Sequence, residues 1–160
     1  AASDVYKRQG NMFVGATVGA MGPGVPSAVA AGICSPGRQV VAFCGDGGVL
    51  MTGNELATAV RYGVPIKLFI ADNAAYGTIR MHQARSFPGR GYAIELQNPD
   101  FVKWGESFGA KGVLIETEAE CEEKVAEAMA HDGPAVIHCK ISLDHISPSA
   151  TITGIEESAS

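Results

Sequence analysis

The sequence has few of the features that tie a protein to nucleic acid or to a membrane. Charged residues make up 18% of the 160 residues, and 12 Lys and Arg stand against 17 Asp and Glu, for a net charge of −5. The basic residues form no stripe, so we expect no binding to nucleic acid. No apolar run reaches the length of a membrane span, and the N-terminus lacks a signal-peptide pattern. We therefore expect a cytoplasmic protein that does not bind a membrane.

The sequence also lacks paired metal-binding motifs. Its four cysteines include no CxxC pair, and Cys44 and Cys139 fall inside apparent buried strands, which is typical of reduced core cysteines. Three histidines show no spacing of metal ligands: His131, His138 and His145.

Nucleotide-binding loops of the common kinds are missing as well. No loop of Walker spacing occurs, and the segment GAMGPGVPSAVA has its glycines at 19, 22 and 24, which does not fit GxGxxG. A different phosphate-binding α/β enzyme is therefore the weaker interpretation.

The length of the chain fits one domain. Residues 1–9, AASDVYKRQ, differ in character from the rest of the chain, and DVYKRQ is also the translation of a transposon end used to prepare sequencing libraries. We expect 1–9 to be an artefactual leader, 10–145 to form the domain, and 146–160 to be a polar, frayed tail. The chain is then expected to be a fragment of a longer protein.

Short apolar runs alternate with helix-like segments along the domain. Continuous apolar runs predict buried strands, and segments of helical spacing separate them. The predicted strands are 39–44, 65–71, 111–116 and 134–141, and predicted helices include 25–34, 49–63 with a stop at Gly63, and 100–109. This order favours an α/β fold, a doubly wound parallel sheet with helices on both faces.

The segment 73–97 shows no clear period, so we expect a long loop there that is functional or mobile. Asn98 followed by Pro99 predicts the start of the next helix, with Asn98 as its N-cap.

Two polar side chains come after neighbouring predicted strands. Asp46 comes after the strand 39–44 and Asn73 after the strand 65–71, so both are expected at the carboxyl edge of the sheet, where ligands bind. A carboxylate and an amide oxygen suit Mg²⁺, which completes its shell with water and phosphate oxygens. Gly45, Gly47 and Gly48 let the backbone approach an anion. The alternative is that Asp46 caps a helix and Asn73 occupies a turn.

The stretch GDGGVLMTGNELATAVRYGVPIKLFIADNAAYGTIR resembles the C-terminal cofactor domain of the thiamine diphosphate enzymes that include acetolactate synthase, pyruvate oxidase and benzoylformate decarboxylase. The resemblance spans residues 15–141. The family usually has Asn-Asn where this chain has Asp72-Asn73; the second position is the metal ligand, and it is kept.

The resemblance implies thiamine diphosphate and Mg²⁺ as cofactors. Side-chain oxygens of Asp46 and Asn73 and the backbone carbonyl of Ala75 are implied as metal ligands. The glycine loop is implied to hold the aminopyrimidine, with the Gly19 carbonyl as acceptor and Met21 beneath the bent cofactor; the alternative for Met21 is ordinary core. The full set of implied cofactor-binding residues is Gly19, Met21, Gly22, Gly45, Asp46, Gly47, Gly48, Asn73, Ala75, Tyr76 and Gly77.

The glutamate that activates the cofactor in this family comes from a separate pyrimidine-binding domain, normally of another subunit. Nothing in the chain resembles that domain, and Glu55 and Glu95 match it only by residue type. We therefore expect a half-site with no catalytic residue of its own, inactive alone and completed in a homodimer or homotetramer.

The resemblance implies a 2-oxo acid as substrate. The Gln-Trp pair usual in true acetolactate synthases is absent, so a related decarboxylase or carboligase is equally indicated. Four basic residues of the long segment face either a substrate carboxylate or solvent: Arg80, His82, Arg85 and Arg90. A non-catalytic assembly module of the same fold is the remaining alternative.

Overall fold

The structure is a computed structural model that describes residues 19–147 and 150–158. The predicted leader 1–9 lies outside the described residues, as does part of the predicted tail. In chain order the elements are α1 (Gly24–Cys34), β1 (Val40–Gly45), α2 (Asp46–Thr52), a 3-10 turn (Gly53–Glu55), α3 (Leu56–Tyr62), β2 (Ile66–Asp72), α4 (Gly77–Ser86), α5 (Phe101–Phe108), β3 (Lys111–Ile115), a 3-10 turn (Glu118–Glu120), α6 (Cys121–Ala130), β4 (Ala135–Lys140), β5 (His145–Ser147), β6 (Ala150–Thr151) and α7 (Ile152–Ser158).

The first four strands form one parallel sheet in the order β1-β2-β4-β3. Each predicted strand matches an observed one to within a residue at either end. The prediction of burial is confirmed for β2, whereas alternate residues of β1 are exposed. The predicted parallel α/β fold is confirmed.

Helices cover both faces of the sheet, as predicted. On one face, α1, α2, α3 and α5 enclose the larger core, in which Leu56, Leu68 and Phe101 are fully buried. On the other face, α6 packs on β3 and β4 around Val113 and Ile137. None of the helices in the described ranges is long and apolar enough to cross a bilayer.

Within the described residues, the face of β1 on the same side of the sheet as α6 is largely exposed. Phe43 is 79% exposed and stacks on Phe69 of β2, with ring centroids 4.7 Å apart. Val41, on the same face of β1, is also exposed. This open face continues into a large cavity at the carboxyl edge of the sheet.

The helical region after β1 differs from the prediction at its start. The sequence predicted one helix over 49–63, whereas α2 begins directly after the strand at Asp46 and a 3-10 turn separates it from α3. The predicted stop is confirmed, since Gly63 ends α3 in the left-handed region at φ 61°.

Two expectations about irregular segments were wrong. The segment 73–97 contains the ten-residue helix α4, which buries only Ala84 and so gives no amphipathic period. The residues 150–158, expected to be frayed, form β6 and α7, and α7 packs against α4.

Candidate functional site

The carboxyl ends of β1 and β2 bring the predicted metal-binding positions to one place. In the register of the two strands, Gly45 lies opposite Ala71. Asp46 therefore emerges beside Asp72 and Asn73 at the same edge of the sheet.

A cavity of about 1320 Å³ extends from this edge along β1 as far as Gln39, next to the amino end of the strand. All eleven residues predicted to bind the cofactor line it: Gly19, Met21, Gly22, Gly45, Asp46, Gly47, Gly48, Asn73, Ala75, Tyr76 and Gly77. The cavity also reaches the open face of β1 at Val41 and Phe43. A space of this size accepts a ligand larger than a single metal ion or phosphate group.

Gly47 lets two larger side chains converge in the wall of the cavity. A Cβ at this position would lie 2.7 Å from the Tyr76 ring and 3.0 Å from the terminal methyl carbon of Met21. Met21 is 44% exposed, so it lies in the cavity wall, in contrast to the alternative that it is ordinary core.

A hydrogen bond joins the loop before α1 to α2. The Thr52 hydroxyl donates a hydrogen bond to the Gly22 carbonyl, and a Cβ at Gly22 would meet Met51 and Thr52 at 3.3 Å. This contact places the glycine loop against the same helix that begins with Asp46.

Asp46 is 3% exposed and opens α2. Its Oδ1 accepts a hydrogen bond from the neighbouring Gly47 N–H at 2.8 Å, and its Oδ2 accepts one from Asn98 Nδ2 at 2.7 Å. No side chain caps α2, so the alternative role of Asp46 as a helix cap is not observed. Each carboxylate oxygen retains a lone pair for a cation.

Asn73 occupies a tight turn, as its alternative interpretation predicted. Its Oδ1 accepts the Ala75 N–H at 3.1 Å, and Ala74 between them adopts φ 55°. An antiparallel β-bridge between Ala75 and Glu95 connects this turn to the segment that follows α4. A turn role and a ligand role are compatible here, because an amide oxygen has two acceptor sites.

Asp72, at the end of β2, is the centre of a buried polar network that the sequence did not reveal. Its Oδ2 accepts hydrogen bonds from His138 Nε2 and Lys140 Nζ, both at 2.6 Å. Its Oδ1 accepts from Asn98 Nδ2 at 2.7 Å and from the Ala74 N–H at 3.0 Å. Burial acts to raise the pKa of the Asp72 carboxyl, but these four hydrogen bonds outweigh it and hold the pKa well below its usual range.

The only sequence signal for this network was the departure from the family's usual Asn-Asn at Asp72. His138 and Lys140 belong to β4, some 66 residues further along, and no local pattern connects them to Asp72.

The available donors fit a magnesium ion held jointly with a phosphate ligand. In the part of the chain that the structure describes, no group of three or more His, Cys, Asp or Glu side chains could hold a metal by itself. A site built from Asp46, Asn73 and the Ala75 carbonyl supplies only three hard oxygens, and Mg²⁺ accepts water or phosphate oxygens in its remaining positions.

None of the four basic residues between 80 and 90 lines the cavity. Three of them are exposed, which favours the solvent-facing alternative, whereas the Arg80 side chain is only 17% exposed. Arg80 forms an ion pair with Glu156 of α7 at 2.7 Å. The Arg90 guanidinium carbon lies 5.8 Å from the centroid of the Phe87 ring. His82 and Arg85 are exposed on α4.

The two glutamates that match the activating residue only by type lie outside the cavity lining. Glu55 accepts a hydrogen bond from Thr58 within the helical region, and Glu95 is exposed. The single tryptophan, Trp104, packs edge-on against Phe101 and Phe108 of its own helix, α5.

Comparison with known proteins gives a consistent result. A family model described as the C-terminal thiamine pyrophosphate-binding domain of thiamine pyrophosphate enzymes matches residues 2–139. The chain is 37% identical over 132 residues to the Bacillus subtilis protein YdaP, whose name calls it thiamine pyrophosphate-containing, covering 82% of this chain and 23% of that protein. It is 34% identical over 117 residues to an acetolactate synthase of the same organism, covering 73% of this chain and 20% of that enzyme.

A solved structure is similar as well. The thiamine diphosphate-dependent 4-hydroxybenzoylformate decarboxylase of Rhodococcus jostii RHA1 superposes with a TM-score of 0.71 at 30% identity, covering 76% of this chain and 23% of that one. The chain thus spans about a quarter of the length of the relatives that it matches.

Proposed function

The chain belongs to the thiamine pyrophosphate enzymes as a C-terminal cofactor-binding domain of the acetolactate synthase-like kind, and we propose that it binds thiamine diphosphate through Mg²⁺ in the cavity at the carboxyl ends of β1 and β2. The observation that carries this proposal is the convergence of all eleven predicted residues on one cavity.

Asp46, Asn73 and the Ala75 carbonyl hold the metal in this proposal. Asp46 is the one carboxylate among them, and it is buried and anchored through both oxygens. An anchored carboxylate binds a cation with little loss of side-chain entropy, which favours a small ion with strict geometry such as Mg²⁺.

The diphosphate lies against Gly47, Gly48, Tyr76 and Gly77. Tyr76 precedes α4 without a side-chain cap, and the first turn of α4 contains no acidic residue. The amide dipoles at the start of this ten-residue helix therefore favour an anion in the cavity.

The glycine loop holds the other end of the cofactor. The Gly19 carbonyl accepts a hydrogen bond from the aminopyrimidine, and Met21 supports the cofactor from the cavity wall. Met21 suits this task because its unbranched thioether adapts to an irregular gap.

Bound thiamine diphosphate supplies the electron sink with which enzymes of this class cleave the bond beside the carbonyl of a 2-oxo acid. The chain contributes the metal and diphosphate half of the site, and a pyrimidine-binding domain of a partner subunit completes it in a homodimer or homotetramer. The reaction is a decarboxylation or carboligation of a 2-oxo acid, as the names of the acetolactate synthase and the 4-hydroxybenzoylformate decarboxylase suggest for those relatives.

Isothermal calorimetry with thiamine diphosphate and Mg²⁺ tests the proposal. We expect the unmutated chain to bind and Asp46→Ala to lose at least about tenfold in affinity, or ~1.4 kcal/mol, because the site loses its one carboxylate. Asp132→Ala is the matched control, since Asp132 is exposed and precedes β4 at the opposite edge of the sheet.

Equal affinity in the Asp46→Ala and Asp132→Ala variants would contradict the metal site. An unmutated, folded chain that takes up no thiamine diphosphate would favour a non-catalytic assembly module of the same fold.

A further inference from the structure

The Asn98 side chain lies between two carboxylates that the sequence separates by 26 residues. Its Nδ2 lies 2.7 Å from Asp46 Oδ2 and 2.7 Å from Asp72 Oδ1. Asn98 itself does not line the cavity. Asn98 therefore contacts the proposed metal ligand Asp46 from outside the cavity lining.

The chemistry of the two carboxylates fixes the orientation of this amide. An amide nitrogen has two N–H groups, and here one is donated to each carboxylate. The flipped amide would place its oxygen against both carboxylates and lose both bonds. The Asn98 Oδ1 atom is buried and has no hydrogen-bond partner in the described structure, so the two donated bonds alone hold the amide.

Asp72 extends the connection to the other half of the proposed metal site. The Asp72 oxygen that accepts from Asn98 also accepts the Ala74 N–H. Ala74 lies in the turn that presents Asn73 and the Ala75 carbonyl, and it adopts a left-handed φ of 55° that an alanine rarely takes without support. One chain of hydrogen bonds thus runs from Asp46 through Asn98 and Asp72 to the turn.

The second oxygen of Asp72 is occupied by a cation. Lys140 Nζ lies 2.6 Å from Asp72 Oδ2, and no ion pair of the described residues involves Asp46. Lys140 therefore neutralises the carboxylate of Asp72. The negative charge of the Asp46 carboxylate stays available to a cation.

We propose that Asn98 is the positioning residue of the metal site, because its amide sets the separation between the Asp46 carboxylate and the turn 73–75. This inference rests on the proposed function of Asp46 and Asn73 as magnesium ligands. Without the shared amide the two carboxylates face each other unscreened and move apart, and the donor oxygens lose the geometry that a small octahedral ion needs.

The test compares two metals in the unmutated chain and in Asn98→Ala by calorimetry, with thiamine diphosphate present throughout. Loss of a residue that orients a metal ligand typically lowers metal affinity by about 10–100-fold, and we expect a loss of this size for Mg²⁺. We expect a smaller loss for Ca²⁺, because Ca²⁺ accepts irregular shells of six to eight oxygens at longer distances. The ratio of the two affinities therefore shifts towards Ca²⁺.

This ratio separates a positioning role from a structural one. A variant that is merely less stable loses affinity for both metals equally, and that result would overturn the proposal. Asn54→Ala is the matched control, since Asn54 is exposed in the 3-10 turn after α2 and should leave both affinities unchanged.

Asn98→Leu provides a second variant that keeps the volume of the side chain and removes both donors. Unchanged Mg²⁺ affinity in a folded Asn98→Ala or Asn98→Leu chain would refute the positioning role and leave the proposed function intact. Failure of the unmutated chain to bind Mg²⁺ with thiamine diphosphate would refute both.

Discussion

Replacement of Gly47 by alanine tests the cavity wall without any ligand. The added methyl carbon would lie 2.7 and 2.9 Å from two carbons of the Tyr76 ring and 3.0 Å from the Met21 methyl carbon. Carbon atoms pack best at about 3.5–4.0 Å, so these neighbours must move by roughly 0.5–1 Å. Overpacking of this kind costs about 1–3 kcal/mol.

Gly48→Ala is the reference for this effect, because Gly48 belongs to the same helix, α2, and a Cβ there meets only the Gly22 nitrogen at 3.8 Å. In both variants the helix gains roughly 0.5–1 kcal/mol of stability, because alanine is favoured over glycine within a helix. The difference between the two variants therefore isolates the contact with Tyr76 and Met21.

Thermal unfolding of both variants gives the measurement. For a chain of this size, a difference of about 1–3 kcal/mol corresponds to a melting temperature about 2–12 °C lower for Gly47→Ala than for Gly48→Ala. Equal melting temperatures would show that Tyr76 and Met21 do not converge on Gly47.

Two further predictions concern stability. Because the pKa of Asp72 is lower in the folded chain than the value of about 3.9 in an unfolded one, its stabilising contribution is present above that value and is lost as the pH falls below it. Urea unfolding from pH 6 to pH 3 should show the onset of this loss, which continues down to the lower folded pKa, with a smaller decline in Asp72→Asn; an equal decline would assign the pH dependence to other carboxyls. Phe101→Ala should lower the free energy of unfolding by about 3–5 kcal/mol, because Phe101 is fully buried. Phe87→Ala, at a 56% exposed position, should change it by less than about 1 kcal/mol, and equal losses would contradict this description of the core.

The sequence was sufficient for the parts of the fold that local patterns encode. β1 and β2 are both runs of apolar residues bounded by glycines and polar residues. The sheet buries β2 as such a run predicts, whereas alternate residues of β1, the first strand in the sheet order, stay exposed on one face. The positions of Asp46 and Asn73 could be predicted by the same reasoning, since side chains after adjacent parallel strands share an edge.

The sequence was insufficient where tertiary contacts decide. Asn98 before Pro99 matches the pattern of a helix start, but the N-cap of α5 is Asp100, whose side chain accepts the Val102 and Lys103 N–H groups. The Asn98 amide is instead committed to two distant carboxylates, which no local signal shows.

The helix α4 was missed for a different reason. Its residues are polar on most sides, and it packs against α7 through contacts such as the Arg80–Glu156 ion pair. A helix stabilised by a distant segment leaves no hydrophobic period in its own sequence.

The metal dependence of cofactor binding tests the central claim most directly. Titration of the unmutated chain with thiamine diphosphate should show binding in the presence of Mg²⁺ and a loss of at least about tenfold in affinity when EDTA replaces it, because the ion joins the diphosphate to Asp46 and Asn73. Equal affinity with Mg²⁺ and with EDTA would contradict the claim that these two side chains hold the cofactor through a metal.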